Sequence, residues 1–104
     1  EGSNMSSTNE AIKIMQDGGI IVGPSKAANA GGVACSCIEM GQNAGKTVFT
    51  PEQVHAQLKD IMVGIHDACK DAAEKYGFGY NLVAGANIAG FLKVADAMMA
   101  QGIC

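Results

Sequence analysis

The sequence predicts a mostly α-helical chain of about four helices with one short β-strand, the strand following a helix as in half of an α/β unit. Two observations carry this. From Val54 to Tyr76 apolar residues recur at helical spacing, and sequence signals for helix starts and stops bracket further segments. The run Ile20-Ile21-Val22 is β-branched and bounded by glycines on one side and by Gly23-Pro24 on the other, as a buried parallel strand would be.

The first helix is expected over about 8–17. Ser7 followed by Glu10 forms a capping box, Ala11, Ile12 and Met15 supply one apolar face, and Gly18-Gly19 stop the turn. The strand comes next. A second helix starts near Asn29 as N-cap, carries Val33, Cys37 and Met40 on one face, and fades around Gly45. The third has the clearest start: Thr50 as N-cap, Pro51 at the first helical position, Gln53 closing a capping box and Phe49 placed to staple against Val54. Its stripe of Val54, Leu58, Ile61, Met62, Ile65, Cys69, Ala72 and Tyr76 ends at Gly77 and Gly79. The last helix, about 81–101, carries Ala84, Ile88, Phe91, Ala95 and Met98 on one face and ends at Gly102. Gly85 and Gly90 inside it each cost about 1 kcal/mol relative to alanine, so both are expected to pack closely against a neighbour. A single strand cannot make a sheet. Either it pairs with another copy of the chain, or the rest of its sheet belongs to a longer polypeptide, a reading that agrees with a start at Glu1 rather than methionine.

A chain of 104 residues makes one domain or part of one. Hydrophobic residues are 48% and charged residues only 16%, so some of the surface is expected to lie against something else. The seven basic residues are all lysines, outnumbered by ten acidic ones, for a net charge of -3, which offers no basic stripe to a phosphate backbone and argues against nucleic-acid binding. No apolar run approaches the roughly 20 residues that cross a bilayer, and no signal peptide is visible. The expectation is a cytoplasmic protein without a membrane partner. Cys35, Cys37, Cys69 and Cys104 suit neither a zinc site nor a disulfide framework and read as small buried hydrophobes. Asn4-Met5-Ser6 fits a glycosylation sequon by chance.

The stretch "ANAGGV" places Gly31 and Gly32 in the first turn of a helix, where free N–H groups and the positive end of the dipole suit an anion or polar ligand. Tight helix packing with an asparagine cap explains the same residues. Val33 and Ser36 lie about one turn apart and can present one apolar and one hydroxyl contact, although a helical serine also bonds back to its own backbone. "GANIAG" at 85–90 has P-loop glycine spacing, but Phe91 stands where the lysine is required, which excludes nucleotide binding there. His55 and His66 read as surface or partner-facing residues and Lys26 as an exposed lysine. No catalytic set and no metal cluster is complete in the chain.

The segments "EGSNMSSTNEA", "GPSKAANAGGVACSCIEMGQNA" and "YNLVAGANIAGFLKVADAMMAQG" together resemble the microbial hexameric glutamate dehydrogenases, within the Glu/Leu/Phe/Val dehydrogenase family, essentially end to end. The resemblance implies an α/β parent enzyme of which this is the C-terminal part. Residues 1–45 would be the end of a Rossmann-like nucleotide-binding domain and the start of a helical return, and 46–104 the helices crossing back to the substrate domain. It further implies that Asn4 and Asn29 face the nicotinamide ribose of the cofactor, and that Val33 and Ser36 line the glutamate pocket, the Ser36 hydroxyl meeting the side-chain carboxylate. NADP is the implied cofactor, with NAD open. Catalytic residues, the dinucleotide-binding glycines and the lysines that hold the substrate would all precede this part, leaving the fragment inactive by itself though the full homo-hexamer interconverts glutamate with 2-oxoglutarate and ammonia. Ser3, where alanine is common, and Cys35 and Cys37 depart from the family's usual form. The rival reading is a stand-alone helical interaction module without enzymatic activity. As an isolated fragment the chain is expected to self-associate through its unpartnered strand and apolar faces.

Overall fold

Three side-chain oxygens start the helices. In the computed structural model, which describes residues 1–102, Thr8 accepts from the Ala11 N–H at the start of α1 (Asn9–Asp17), at 3.2 Å. Thr50 and Gln53 form a reciprocal capping box at α4 (Pro51–Lys75), with Gln53 N donating to Thr50 Oγ1 at 3.3 Å and Thr50 N to Gln53 Oε1 at 2.8 Å. Asn81 accepts from Ala84 N at 3.0 Å to open α5 (Leu82–Gln101). Each satisfies an N–H that the helix itself leaves unpaired. Between α1 and α4 lie the single-turn α2 (Ser25–Ala28) and α3 (Ala30–Gly45).

The α4 boundary is the one expected, but the α1 cap shifts by one residue. Thr8 caps where Ser7 was expected: its hydroxyl takes the Ala11 N–H, and Ser7 N is bonded to the Glu1 carboxylate at 2.9 Å. The expected strand is absent among the described residues: Ile20–Val22 has no regular structure, with Ile21 68% exposed and only Val22 buried. A strand exists only against a second strand that supplies the opposite hydrogen-bonding groups, and none is present. The turn α2 precedes the helix expected from Asn29, and one turn after Pro24 carries no periodicity to detect.

Gly77 stops α4 in the left-handed region (φ +81°). Its N–H donates to Glu74 O at 3.1 Å and Phe78 N to Ala73 O at 2.9 Å, a Schellman pair that satisfies carbonyls of the last turn. The chain then turns back so that the first turns of α5 pack on the last turns of α4. Cys69, Ala72, Ala73, Gly85 and Ala86 are buried there, Ala73 completely. The contact is close because Gly85 has no side chain: a Cβ at that position would lie 1.8 Å from the Cys69 carbonyl oxygen. The packing expected of Gly85 is therefore found. That expected of Gly90 is not, since no atom lies within 4 Å of where its Cβ would be. The outer half of α5 is likewise bare, with Phe91 65% exposed and Met98 and Met99 on the surface.

Of the cysteines expected to be buried, only Cys69 is, and burial pushes its thiol pKa up. Cys35 and Cys37 are exposed; Cys104 lies outside the described residues. By length and composition α5 could cross a membrane, which corrects the expectation that no segment would. Lys93 and Asp96 stand in its middle portion, each costing about 2.5–3.5 kcal/mol at a bilayer centre.

The described chain is open for its size. Its accessible surface of 7358 Å² exceeds by roughly 1,900 Å² what a compact monomer of 10.6 kDa shows. Its radius of gyration is 16.4 Å where about 13 Å is usual.

Three carboxyls hold the N-terminal ends of these elements. Hydrogen bonds from Ser7 and Ser6 lower the pKa of Glu1. Glu10 and Glu52 are lowered by their own backbone N–H groups and then by the hydroxyls of Thr8 and Thr50. Because each titrates lower when folded than its ordinary value of 4.5, the stability it contributes is present above that pH and lost as pH falls through the folded value. Far-UV circular dichroism of the chain should be flat from about pH 7 to pH 5 and lose helicity below about 4.5, and Glu52→Gln, with one fewer carboxylate to protonate, should show a smaller acid-induced loss than the parent chain.

Candidate functional site

The N-terminal residues are tied to α2 through Glu1. Its nitrogen donates to Gly23 O at 2.9 Å, and its carboxylate accepts from Ser6 Oγ at 3.0 Å, Ser7 N at 2.9 Å and Ser25 N at 3.3 Å. These bonds fold residues 1–7 over the start of α2 and bound a concavity of about 380 Å³. Asn4, Ser7, Asn9, Lys26 and Asn87 are among the residues that line it. The Lys26 ammonium donates to Asn87 Oδ1, joining α2 to α5. Asn4 is exposed, and its side-chain amide has no hydrogen-bond partner among the described residues.

Asn29, Val33 and Ser36 follow one another at spacings of four and three, so they share one face of α3. Asn29 is the residue before α3, as expected, but its side chain makes no capping bond. Its backbone is helical (φ −77°, ψ −10°), because α2 runs directly into α3: Asn29 N donates to Ser25 O at 2.9 Å and Gly32 N to Asn29 O at 3.1 Å. A capping side chain requires an extended backbone, so the Asn29 amide is left for another partner. The same continuity corrects the expectation of an open helix N-terminus at Gly31-Gly32.

The two glycines part company. A Cβ on Gly31 would touch Met62 Sδ at 3.4 Å and Leu58 Cδ1 at 3.8 Å, so Gly31 serves the packing of α3 on α4. Gly32 faces open space. Val33, 69% exposed, and Ser36, also exposed, stand beside it, and the Ser36 hydroxyl donates to Gly32 O at 3.2 Å. The face thus offers a bare backbone, an apolar contact, a hydroxyl and an amide. The structure brings Asn29, Val33 and Ser36 together, and sets Asn4 in the separate concavity that begins one turn upstream, at Lys26.

Lys26 and Asn87 were missed as a pair from sequence, as was Glu1. Their partners are 61 and 24 residues away, and no local spacing signals such a contact. His66 proves to be bonded rather than merely exposed: Nε2 lies 2.7 Å from the Tyr80 hydroxyl and Nδ1 3.0 Å from Asp67 Oδ1, linking α4 to the loop before α5. Among the described residues, no group of His, Cys, Asp and Glu is placed to hold a metal ion.

A sequence profile of the glutamate/leucine/phenylalanine/valine dehydrogenases matches residues 1–102. The chain belongs to this family. The family's NAD-specific glutamate dehydrogenase from Clostridium symbiosum is 57% identical over 104 residues, covering 99% of this chain and 23% of that protein. The NADP-specific glutamate dehydrogenase of Escherichia coli (strain K12) is 52% identical over 103 residues, again 99% of this chain and 23% of the other. Among solved structures of the family, a glutamate dehydrogenase superposes with a TM-score of 0.86 at 57% identity, over 97% of this chain and 23% of its own. Plasmodium falciparum glutamate dehydrogenase 2 gives 0.88 at 46% identity, over 98% and 22%. This chain therefore spans less than a quarter of the length of the curated family members it matches.

Proposed function

We propose that this chain is the C-terminal segment of a glutamate dehydrogenase, supplying one wall of the site in which glutamate and 2-oxoglutarate with ammonia are interconverted. The observation that carries the reading is the likeness to glutamate dehydrogenases over 97% of the chain at 57% identity and a TM-score of 0.86. It favours a segment over a stand-alone interaction module, as does the excess surface described above. Residues 1–45 then close a Rossmann-like nucleotide-binding domain in an α/β parent, and the later helices cross back to the substrate domain.

In this reading Asn4 and Asn29 face the cofactor and Val33 and Ser36 the substrate. The structure supports it by leaving both asparagine amides unpartnered among the described residues and by exposing Val33 and Ser36 on one face with Gly32. A nicotinamide cofactor, when bound, accepts hydride from the α-carbon of glutamate. The protein's part is to position. Ser36 has one O–H donor, now spent on Gly32 O; rotation onto the side-chain carboxylate of glutamate exchanges a neutral acceptor for a charged one, which makes the stronger bond. Val33 covers the apolar carbons beside it.

Relatives named NAD-specific and NADP-specific are of nearly equal identity, so both cofactors belong in the assay, NADP being the one proposed. The longer protein is placed in the cytoplasm as a homo-hexamer, and the isolated chain is expected to self-associate through the uncovered Ile20, Ile21, Phe91 and Met99. The test is direct. The longer protein carrying this segment should reduce NADP or NAD on addition of glutamate and release ammonia, and the 104-residue chain alone should not. A longer protein inert toward glutamate sinks the assignment, and an active 104-residue chain sinks the claim that it lacks the essential residues.

A further inference from the structure

The concavity between the N-terminal residues, α2 and α5 has a volume of about 380 Å³, within the roughly 300–1,000 Å³ range of small-molecule sites. Its apolar lining comes from Met5, Ile12, Pro24 and Val83. Its polar lining is rich in donors. The Lys26 ammonium spends one N–H on Asn87 Oδ1 and keeps two. The Asn87 oxygen is so engaged, and its NH₂ group, with two N–H donors, has no partner among the described residues. The acidic group at the rim, Glu1, is already occupied by Ser6, Ser7 and Ser25, so it does not compete for those donors. Asn4 lines the same space.

We propose that Lys26 and Asn87 are further cofactor-positioning residues, forming with Asn4 a set of donors that takes an acceptor-bearing group, the carboxamide or ribose oxygens of a nicotinamide nucleoside, in the partly apolar concavity. The proposal rests on the functional reading above. Lys26 acts on the ligand directly and through Asn87, whose amide it orients. The oxygens on offer could come from a second source with the same acceptor chemistry, the carboxylates of glutamate, and the experiment separates the two.

The longer protein carrying this segment is titrated with NADPH and with NADH, reading nicotinamide fluorescence, and the KM for glutamate is measured in parallel. Wild-type protein is read first: if it neither binds a reduced nicotinamide nor oxidises glutamate, the functional reading fails, and the variants are not what overturned it. With wild type active, Lys26→Met and Asn87→Ala should each weaken reduced-cofactor binding about tenfold and leave the glutamate KM unchanged. Lys26→Arg, which still donates to Asn87, should restore most of the affinity. A raised glutamate KM with cofactor binding unchanged assigns the donors to the substrate and overturns the proposal. So does an unchanged value of both, or a loss of circular dichroism signal in Lys26→Met and Asn87→Ala alike, which would mark the bridge as a structural tether.

Discussion

Replacing Gly85 with alanine should lower the stability of this chain by about 3 kcal/mol, with a fall in the thermal midpoint of roughly 12 °C or more. The added Cβ would stand 1.8 Å from the Cys69 carbonyl oxygen, 2.7 Å from its carbon and 3.1 Å from Ala73 Cβ. A flexible side chain could swing away from such a contact, but a carbonyl inside a helix cannot move without breaking its own hydrogen bond. The helices must therefore separate, and the separation opens the most buried part of the molecule, around Ala73. Gly90→Ala is the control. Its Cβ would meet nothing within 4 Å, and alanine is the better helix former by about 1 kcal/mol, so this variant should be as stable as the parent chain or more so. Urea unfolding followed by circular dichroism measures both. Equal midpoints for the two variants would show that α4 and α5 do not cross at Gly85.

Replacing Ser36 with alanine in the longer protein should reduce kcat/KM for glutamate by roughly 10- to 100-fold, the worth of a hydrogen bond to a charged group. The KM for the nicotinamide cofactor should stay as it was. Stability should not fall, because the hydroxyl is bonded only to Gly32 O of its own helix, an arrangement that slightly weakens a helix. The loss would then belong to the site and not to the fold. Cys35→Ala, one residue away and about a quarter-turn or more off that face, should leave the same constants unchanged. Steady-state kinetics over a range of glutamate concentrations reads this directly, and a Ser36→Ala enzyme with wild-type kcat/KM would remove Ser36 from the substrate wall.

Local chemistry made the helices legible. Thr50, Pro51 and Gln53 place the start of α4 because the groups that complete the cap lie within four residues of one another, and the observed bonds are those expected. The end of α4 at Gly77 and the span of α5 follow from signals of the same short range. Ile20–Val22 shows the reverse case. Its composition suits a strand, yet a strand is defined by a partner, and without one among the described residues the segment stays without regular structure and mostly exposed. Asn29 was placed correctly before α3 but given the wrong task, since its capping role depended on a backbone angle that the preceding turn α2 had already set.

The candidate site divides in the same way. Asn29, Val33 and Ser36 share a face because of helical periodicity alone, which is a property of spacing. That Gly31 packs on Met62 while Gly32 faces open space depends on where α4 lies. Lys26 meets Asn87, and Glu1 meets Ser25, across 61 and 24 residues, and the two glycines of α5 differ only in what stands opposite them. Sequence by itself determined the bounds of α4 and α5 and which residues share a face, because caps and periodicity act within a few residues. Tertiary structure alone decided which of those faces are covered, since burial and long-range hydrogen bonds depend on neighbours that no local pattern encodes.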